Sequence, residues 1–314
     1  MYRKWINEKK VRDLSWVSGR NSFAIEMSEK PIQKVLDKYV YLSPSDTAFL
    51  LSGIQKLHGN IFKGIGLELG AGVAIFSAVI SKMLHNKKMY AIELVPDIVK
   101  KIQPKVFKRY GNSNKAISVL GSFDDIKLKD NSVDFIIEYD SLHHSFNLLI
   151  TLKEANRVLK SGGVIIAIDR VQPNSLNKNL KNRLLNNKYS KEWLQSNHYE
   201  TNQELTRSMN GEHEIRDCEW RKAFKMAGFK NVSITHFTRP NFKFFAYSFL
   251  AIIPDFIKKR TRYRILSAHP FYRVFESFFI RRPSPEQIGK YIGYLSSMKN
   301  KKIMSKNIIY AVKK

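Results

Sequence analysis

The sequence predicts an α/β fold in which helices pack on a parallel sheet. Ile65, Leu67 and Leu69 alternate along a stretch typical of a buried strand, and a glycine turn then leads into an apolar helical run at 75–80. Further apolar strands are predicted at 88–93, 116–120, 132–137 and 164–169, most of them separated by helices. A chain of 314 residues accommodates one such domain with additions.

The turn after the first strand has the composition of a loop that holds a nucleotide-like cofactor. Gly70 permits a tight turn, and Gly72 allows the backbone to approach a ligand. A dinucleotide site expects Gly-x-Gly-x-x-Gly/Ala, but Ile75 occupies the last position of that spacing. The loop is therefore a poor fit to NAD.

With Ala74 one place before Ile75 and Glu68 two places before Gly70, the loop instead resembles the first motif of class I S-adenosylmethionine-dependent methyltransferases. The resemblance implies S-adenosylmethionine as the cofactor. It places Glu68 opposite the methionine ammonium, directly or through water. It also assigns Gly70, Ala71 and Gly72 to the cofactor loop.

The second predicted strand ends in Glu93, about twenty residues past the glycines, where a ribose-binding acid belongs. Its neighbour Leu94 is also assigned to the cofactor site, and a helix is predicted to begin near Pro96. After the third strand the family pattern has an adenine-binding carboxylate, but this chain has Ser122 there. Ser122, Phe123 and Asp124 therefore all remain candidates for the adenine contact.

The segment after the fourth strand is the most specific. Residues 138–144 read Glu-Tyr-Asp-Ser-Leu-His-His, and residues 154–163 read Glu-Ala-Asn-Arg-Val-Leu-Lys-Ser-Gly-Gly. Both resemble the methyltransferase subgroup that modifies small molecules, lipids and sugars. Glu138 is assigned to the cofactor site, and Gly162 and Gly163 are predicted to end the helix before the fifth strand.

The resemblance implies a Rossmann-like, seven-stranded sheet and a division of the chain into four parts. These are an N-terminal helical cap at 1–60, the cofactor-binding core at 61–240, a basic aromatic helical insertion at 241–305 and the last strand at 306–314.

The acceptor is expected above the edge where the parallel strands end. His144 is the first candidate for a base or substrate contact and His213 the second, because histidine titrates near neutral pH; Asp140 is the third catalytic candidate. The alternative reading, in which each imidazole only bonds backbone or shapes the pocket, stays open. Methyl transfer from a sulfonium is an in-line displacement that requires no metal.

The composition indicates the cellular compartment of the protein and the kind of partner it binds. The single cysteine, Cys218, excludes an intrachain disulfide and a cysteine-based zinc site, and the N-terminus shows no apolar signal core, so a cytoplasmic protein is expected. The formal net charge is +27, and the stretch from residue 241 onward carries 16 lysines and arginines against three acids. This predicts an anionic partner.

Aromatic residues are interleaved with this charge at 241–305, and the apolar run at 244–253 is shorter than the roughly twenty residues of a membrane span. The stretch is consistent with an interfacial helix on an anionic membrane surface at the inner face. Helices packed on their own domain with a basic solvated face are the alternative.

The leading hypothesis is a methyltransferase acting on a small or lipid-linked acceptor, such as a cell-surface glycan intermediate. An RNA methyltransferase is the alternative, since the charge suits phosphates. Nucleic acid is less favoured because the fourth strand ends in Glu138-Tyr139-Asp140-Ser141, not in Asn/Asp-Pro-Pro-aromatic. A non-catalytic protein with this fold is the third hypothesis, because Ser122 departs from the family pattern.

Overall fold

The structure, a computed structural model, describes residues 2–12, 15–39, 43–236 and 306–314. The predicted insertion at 241–305 lies outside the described residues. In the described part, the strands form one sheet with the order β1-β4-β3-β2-β5-β6-β8-β7. Their bounds are β1 Arg3–Lys4, β2 Gly64–Leu69, β3 Asn86–Glu93, β4 Ala116–Leu120, β5 Val133–Tyr139, β6 Leu159–Arg170, β7 Phe229–His236 and β8 Lys306–Lys313.

Strands β1 to β6 pair in parallel, whereas β8 runs antiparallel to both β6 and β7. The carboxyl ends of β2, β3, β5 and β6 therefore meet at one edge of the sheet, and the loops that follow them are neighbours.

The helices of the described residues cover both faces of the sheet. They are α1 Glu8–Arg12, α2 Ser15–Ser28, α3 Ile32–Tyr39, α4 Pro44–His58, α5 Ile75–Ser81, α6 Gln103–Tyr110, α7 Leu148–Val158, α8 Lys178–Leu185, α9 Lys191–Ser196 and α10 Asp217–Met226. A π-helical turn at Ile98–Ile102 precedes α6, and a 3-10 turn at Leu142–His144 follows β5. Within this part of the chain, every helix is too short or too polar to cross a membrane.

Two apolar cores lie on opposite faces because successive strand residues point to opposite sides. Phe135 and Ile137 pack on one face with Phe76 of α5. Ile136 packs on the other face with Trp220 of α10. The central strands β2 and β5 are mostly apolar and buried because both faces of the sheet are covered.

The predicted α/β fold is confirmed, and β2 through β8 make up the seven strands that the resemblance implies. The strand count needs a correction, because the N-terminal segment predicted as helical also contains β1. Arg3 and Lys4 pair with Val119 and Leu120 of β4, at the edge of the sheet. A two-residue polar strand has no periodicity of its own, so it forms only because β4 offers an unpaired edge.

The prediction for the paired glycines is wrong in part. Helix α7 ends at Val158, and Leu159 is already extended, so Gly162 and Gly163 lie inside β6 at a register shift opposite β5. Gly162 has a φ of 74°. Gly163 is required for space, because a Cβ there would lie 2.8 Å from the Lys160 carbonyl oxygen.

We therefore expect unequal effects from the two Gly→Ala substitutions. Gly162→Ala should cost about 1 kcal/mol of unfolding free energy, because alanine resists a positive φ but meets no neighbour. Gly163→Ala should cost up to about 3 kcal/mol, because backbone must move. Urea unfolding of both variants measures this, and equal midpoints would contradict the steric account of Gly163.

Candidate active site

The loop between β2 and α5 forms a cradle at the edge where the parallel strands end. Gly70 and Gly72 have φ values of 60° and 50°, in the left-handed region that favours glycine. A Cβ on Gly70 would lie 2.4 Å from Cβ of Ser141, whereas a Cβ on Gly72 would meet no atom within 4 Å. Gly70 thus permits close packing against the turn after β5, and Gly72 lies beside open space that suits a ligand.

Glu93 joins this loop to the end of β3. Its Oε2 accepts a hydrogen bond from Gly72 N at 2.8 Å. Its Oε1 accepts from Leu94 N at 2.8 Å and from Val95 N at 2.9 Å. A carboxylate has about four acceptor positions, so one remains for a ribose hydroxyl. The positions assigned from the sequence, Gly72, Glu93 and Leu94, therefore come together.

Gln103 also holds the glycine loop, and the sequence predictions did not include it. It begins α6, is fully buried, and donates from Nε2 to the Gly72 carbonyl oxygen at 2.8 Å. Both polar groups of the Gly72 backbone are therefore bonded by side chains. A glutamine at the start of a helix carries no motif, so the sequence offers no signal for this role.

Glu68 lies beneath the loop. It is 2% exposed, and its Oε2 accepts a hydrogen bond from Ser77 N in the first turns of α5 at 2.8 Å. Burial raises the pKa of Glu68 to about 7. The residue therefore links β2 to α5.

The three adenine candidates have different surroundings. Asp124 accepts a hydrogen bond from the Thr151 hydroxyl of α7, and burial raises its pKa. Ser122 Oγ accepts from Asp124 N at 3.1 Å. Phe123 Cε1 lies 3.5 Å from the position of a Cβ on Gly70, so Phe123 is the candidate whose ring borders the cradle. The Asp124 carboxylate is already hydrogen-bonded to Thr151 of α7.

The assignment of Glu138 to the cofactor needs a correction. Its side chain has no exposed surface, and its Oε1 accepts from Ser141 N, from Ser141 Oγ at 3.0 Å and from Leu142 N at 3.1 Å. Burial, and then the charge of Asp169, raise the pKa of Glu138 well above its usual value. Glu138 therefore supports the turn after β5 from inside the protein.

A buried histidine–aspartate dyad occupies the ends of β5 and β6. His143 Nδ1 lies 2.6 Å from Asp169 Oδ1, and His143 N donates to Asp169 Oδ2 at 2.9 Å. Asp140 Oδ1 lies 3.6 Å from the same His143 Nδ1. Burial opposes ionisation of Asp169, but His143 and the Arg170 backbone outweigh it and lower the pKa. His143 was not a predicted site residue, although it adjoins one in the sequence.

His144 and His213 cross-link two chain segments. His144 Nδ1 lies 3.0 Å from the Gly211 carbonyl oxygen, and His213 Nδ1 lies 2.9 Å from the His143 carbonyl oxygen. Because a carbonyl oxygen only accepts, Nδ1 donates in each ring. Burial, and then the charges of His143 and of Arg20 on α2, lower the pKa of His144 to about 3. His144 is thus a neutral ring near Arg20.

Ion pairs line the far side of the dyad. Glu212 Oε2 lies 3.8 Å from His143 Nε2, and Arg170 and Arg207 both donate to this oxygen. Burial opposes the ionised form of Glu212, but Arg170 foremost lowers its pKa to about 2. Ligand atoms of His143, His144 and Glu212 lie within 4.8 Å of one another. Two guanidinium groups on the shared carboxylate nevertheless disfavour a cation there.

A parallel sheet of this order, with a glycine loop after its central strand and a carboxylate at the end of the next, defines a cofactor-binding α/β domain of the methyltransferase type. Residues 67–167 match the family described as "Methyltransferase domain". Over these residues the chain thus contains a methyltransferase domain, which confirms the resemblance to class I S-adenosylmethionine-dependent methyltransferases noted in the sequence. The cofactor of this class is S-adenosylmethionine, and the cradle around Gly72 and Glu93 fits it.

Curated relatives match part of the chain. An uncharacterised protein of Methanocaldococcus jannaschii is 35% identical over 121 residues, which are 38% of this chain and 52% of that protein. A demethylmenaquinone methyltransferase of Staphylococcus aureus is 30% identical over 125 residues, which are 38% of this chain and 50% of that protein. The chain spans about half the length of the curated relatives it matches.

Solved structures show the same fold. Phosphoethanolamine N-methyltransferase 2 of Haemonchus contortus, in complex with phosphomonomethylethanolamine and S-adenosylhomocysteine, aligns with a TM-score of 0.53 at 13% identity. The alignment covers 98% of this chain and 60% of that one. A second structure of that enzyme, with S-adenosylmethionine, aligns with a TM-score of 0.52. At this identity the likeness concerns the fold alone.

The raised pKa of Glu68 predicts a dependence of stability on pH. The folded protein holds a proton on Glu68 up to about pH 7, whereas an unfolded glutamate releases it near 4.5. Stability from this group is therefore present below pH 4.5 and is lost as the pH rises to 7, by an amount on the order of 3 kcal/mol. Glu68→Gln should remove that loss.

Urea unfolding of the wild type and of Glu68→Gln at several pH values measures the difference. Glu138 titrates in the same direction in both proteins, so subtracting one curve from the other isolates Glu68. A difference curve that stays flat from pH 4.5 to 7 would contradict the buried, protonated state.

Proposed function

We propose that this chain is an active methyltransferase that transfers the methyl group of S-adenosylmethionine to a small or lipid-linked acceptor. The observation that carries the proposal is the position of the His143–Asp169 dyad at the sheet edge that also holds the Gly72–Glu93 cradle. A donor and an acceptor bound at these two places would lie over neighbouring strand ends. Catalysis then consists mainly of positioning.

On the donor side, Glu93 would accept a hydrogen bond from a ribose hydroxyl at its remaining acceptor position, and the Phe123 ring would border the adenine. Glu68 and Gln103 hold the loop in place from below and from the side. S-adenosylmethionine, when bound, supplies a methyl group that an acceptor atom displaces in line from the sulfonium sulfur. The acceptor gains the carbon bond, and the electrons of the broken bond remain on sulfur.

On the acceptor side, His143 takes the proton that the acceptor hydroxyl or amine loses. Asp169 holds Nδ1, so the lone pair is on Nε2, which among the described residues has no hydrogen-bond partner. His144 and His213, the candidates chosen from the sequence, hold the turn and the 211–213 loop together. Asp140 lies beside the dyad and supports the imidazolium.

Several observations support a small or lipid-linked acceptor. One relative is named for methylating demethylmenaquinone, and the related fold of the Haemonchus enzyme accommodates phosphomonomethylethanolamine. The net charge of +27 favours anionic acceptors or surfaces. A cell-surface glycan intermediate at the cytoplasmic membrane face, approached through residues 241–305, fits both features.

The decisive experiment supplies methyl-labelled S-adenosylmethionine to the purified chain with lipid, glycan and RNA fractions. Label in a lipid or glycan product supports the proposal, and label confined to RNA supports the RNA alternative. Calorimetry with S-adenosylmethionine separates both from a non-catalytic protein, since failure to bind the cofactor would overturn the enzyme hypothesis.

Glu93→Ala should weaken S-adenosylmethionine binding about 10- to 100-fold, because the variant loses charged hydrogen bonds to ligand and loop. Calorimetry measures the affinity, and circular dichroism checks the fold. Glu192→Ala, which removes an exposed carboxylate of α9, is the matched control and should bind normally. Equal affinities for the two variants would remove Glu93 from the cofactor site.

His143→Gln and Asp169→Asn should each lower methyl transfer by about 100-fold or more while cofactor affinity stays unchanged, because only proton removal is impaired. The measurement is label transfer to whichever fraction accepts it. His198→Gln removes a histidine outside the dyad, one that pairs with Glu26, and should retain activity. Full activity of His143→Gln would show that another group takes the proton.

A further inference from the structure

We propose that the described fold has its own docking surface for an anionic lipid bilayer, on the acceptor side of the site. This rim surface consists of Phe146, Ile150, Met209 and helix α8. It is distinct from residues 241–305, and it does not depend on methyl transfer. The proposal commits to a bilayer because the surface combines exposed apolar side chains with cations that lack acidic neighbours in the sequence.

Among the described residues, Phe146 is the most exposed large apolar side chain, at 93%, and it lies two residues after His144. It directly precedes Asn147, which caps α7. An apolar residue at this position commonly packs on the fourth residue of its helix. In α7 the fourth residue is the buried Thr151, whose hydroxyl is hydrogen-bonded to the Ser145 hydroxyl. Packing within the described fold therefore does not account for Phe146.

Helix α8 has no buried residue, although it contains three leucines. Lys178, Lys181 and Arg183 supply its charges, and residues 171–191 contain five lysines and arginines with no aspartate or glutamate. A helix that contributes nothing to the core must gain its stability elsewhere. A short basic helix with one exposed leucine, Leu180, and two half-buried leucines has the composition of an interfacial helix.

The parts of the rim surface are continuous with the site. Ser208 N donates to the Leu185 carbonyl oxygen at the end of α8 at 2.9 Å. Met209 follows Ser208 and is 59% exposed. Two residues later, the Gly211 carbonyl oxygen lies 3.0 Å from His144 Nδ1. From His144 the chain continues to Phe146. The surface thus borders the place where an acceptor would enter.

Lipid suits this combination better than RNA or a protein partner. Anionic headgroups attract the cations of α8, and the acyl boundary removes Phe146, Ile150 and Met209 from water. Aliphatic side chains such as Ile150 offer nothing to a nucleic acid. A protein groove lined by acidic residues would also attract the cations of α8. The experiment therefore includes samples without vesicles.

Binding of the full chain to vesicles of phosphatidylcholine, with and without phosphatidylglycerol, tests the proposal. Phe146→Ser with Ile150→Ser should weaken binding to the anionic vesicles about tenfold or more. The matched control is Leu84→Ser, because Leu84 is 86% exposed in the loop before β3, at the opposite edge of the sheet. It should bind normally.

Charge is tested in the same way. Lys178→Gln with Arg183→Gln should weaken binding by about fivefold or more per cation removed. Lys82→Gln with Lys87→Gln removes two exposed cations at the opposite edge and should have a smaller effect. Lys181 is retained, because it pairs with Glu219 at 3.4 Å. If the two double variants lost vesicle binding equally, the assignment of the basic contact to α8 would be overturned.

A polarity-sensitive dye reports contact directly. Cys218→Ser removes the only cysteine, and Phe146→Cys or Leu84→Cys then places the label at either edge. Anionic vesicles should shift the emission at position 146 and leave that at 84 unchanged. Binding without a shift at 146 would assign membrane contact to another part of the chain.

A concentration-dependent shift without vesicles, or a shift with RNA alone, would overturn the proposal in favour of self-association or RNA. Cofactor binding by calorimetry, measured on each variant, tests the proposed function separately.

Discussion

Three backbone N–H groups donate to the carboxylate of Glu93, and the cofactor side of the molecule depends on this interaction. One donor belongs to the glycine loop after β2, and two belong to the loop after β3. A single charged side chain thus sets the distance between two loops that the sheet only brings close together. Gln103 binds the carbonyl of the same glycine, so Gly72 is held from both sides.

The acceptor side depends on a second buried carboxylate. Asp169, at the end of β6, accepts hydrogen bonds from the backbone and ring of His143 and from Arg170 N. Because both partners are buried, the imidazole has one orientation, and the turn after β5 is tied to the next strand. The reciprocal bridges of His144 and His213 then attach the 211–213 loop. The site is therefore assembled from segments on three sides of the strand ends.

Ionisation follows burial on both sides of the sheet. Glu68 and Glu138 lie inside the protein without a cationic partner among their bonds, and their pKa values rise. Asp169 is also buried and Glu212 is largely so, but His143 and the arginines lower their pKa values. These four carboxylates thus divide into two with raised pKa values and two with lowered pKa values.

Periodicity, glycine spacing and the position of Glu93 are local properties of the sequence, and they determined the strands and the cofactor loop, whereas the class of domain came from a family resemblance. Local pattern did not reveal β1, because two polar residues become a strand only beside the open edge of β4. Nor did it distinguish His143 from His144, or Asp124 from Phe123. Those choices depend on partners 26 to 67 residues away in the chain, such as Asp169, Thr151 and Gly211. Adjacent residues share a sequence context, but only tertiary structure decides which of them is buried against a charge and which borders a cradle.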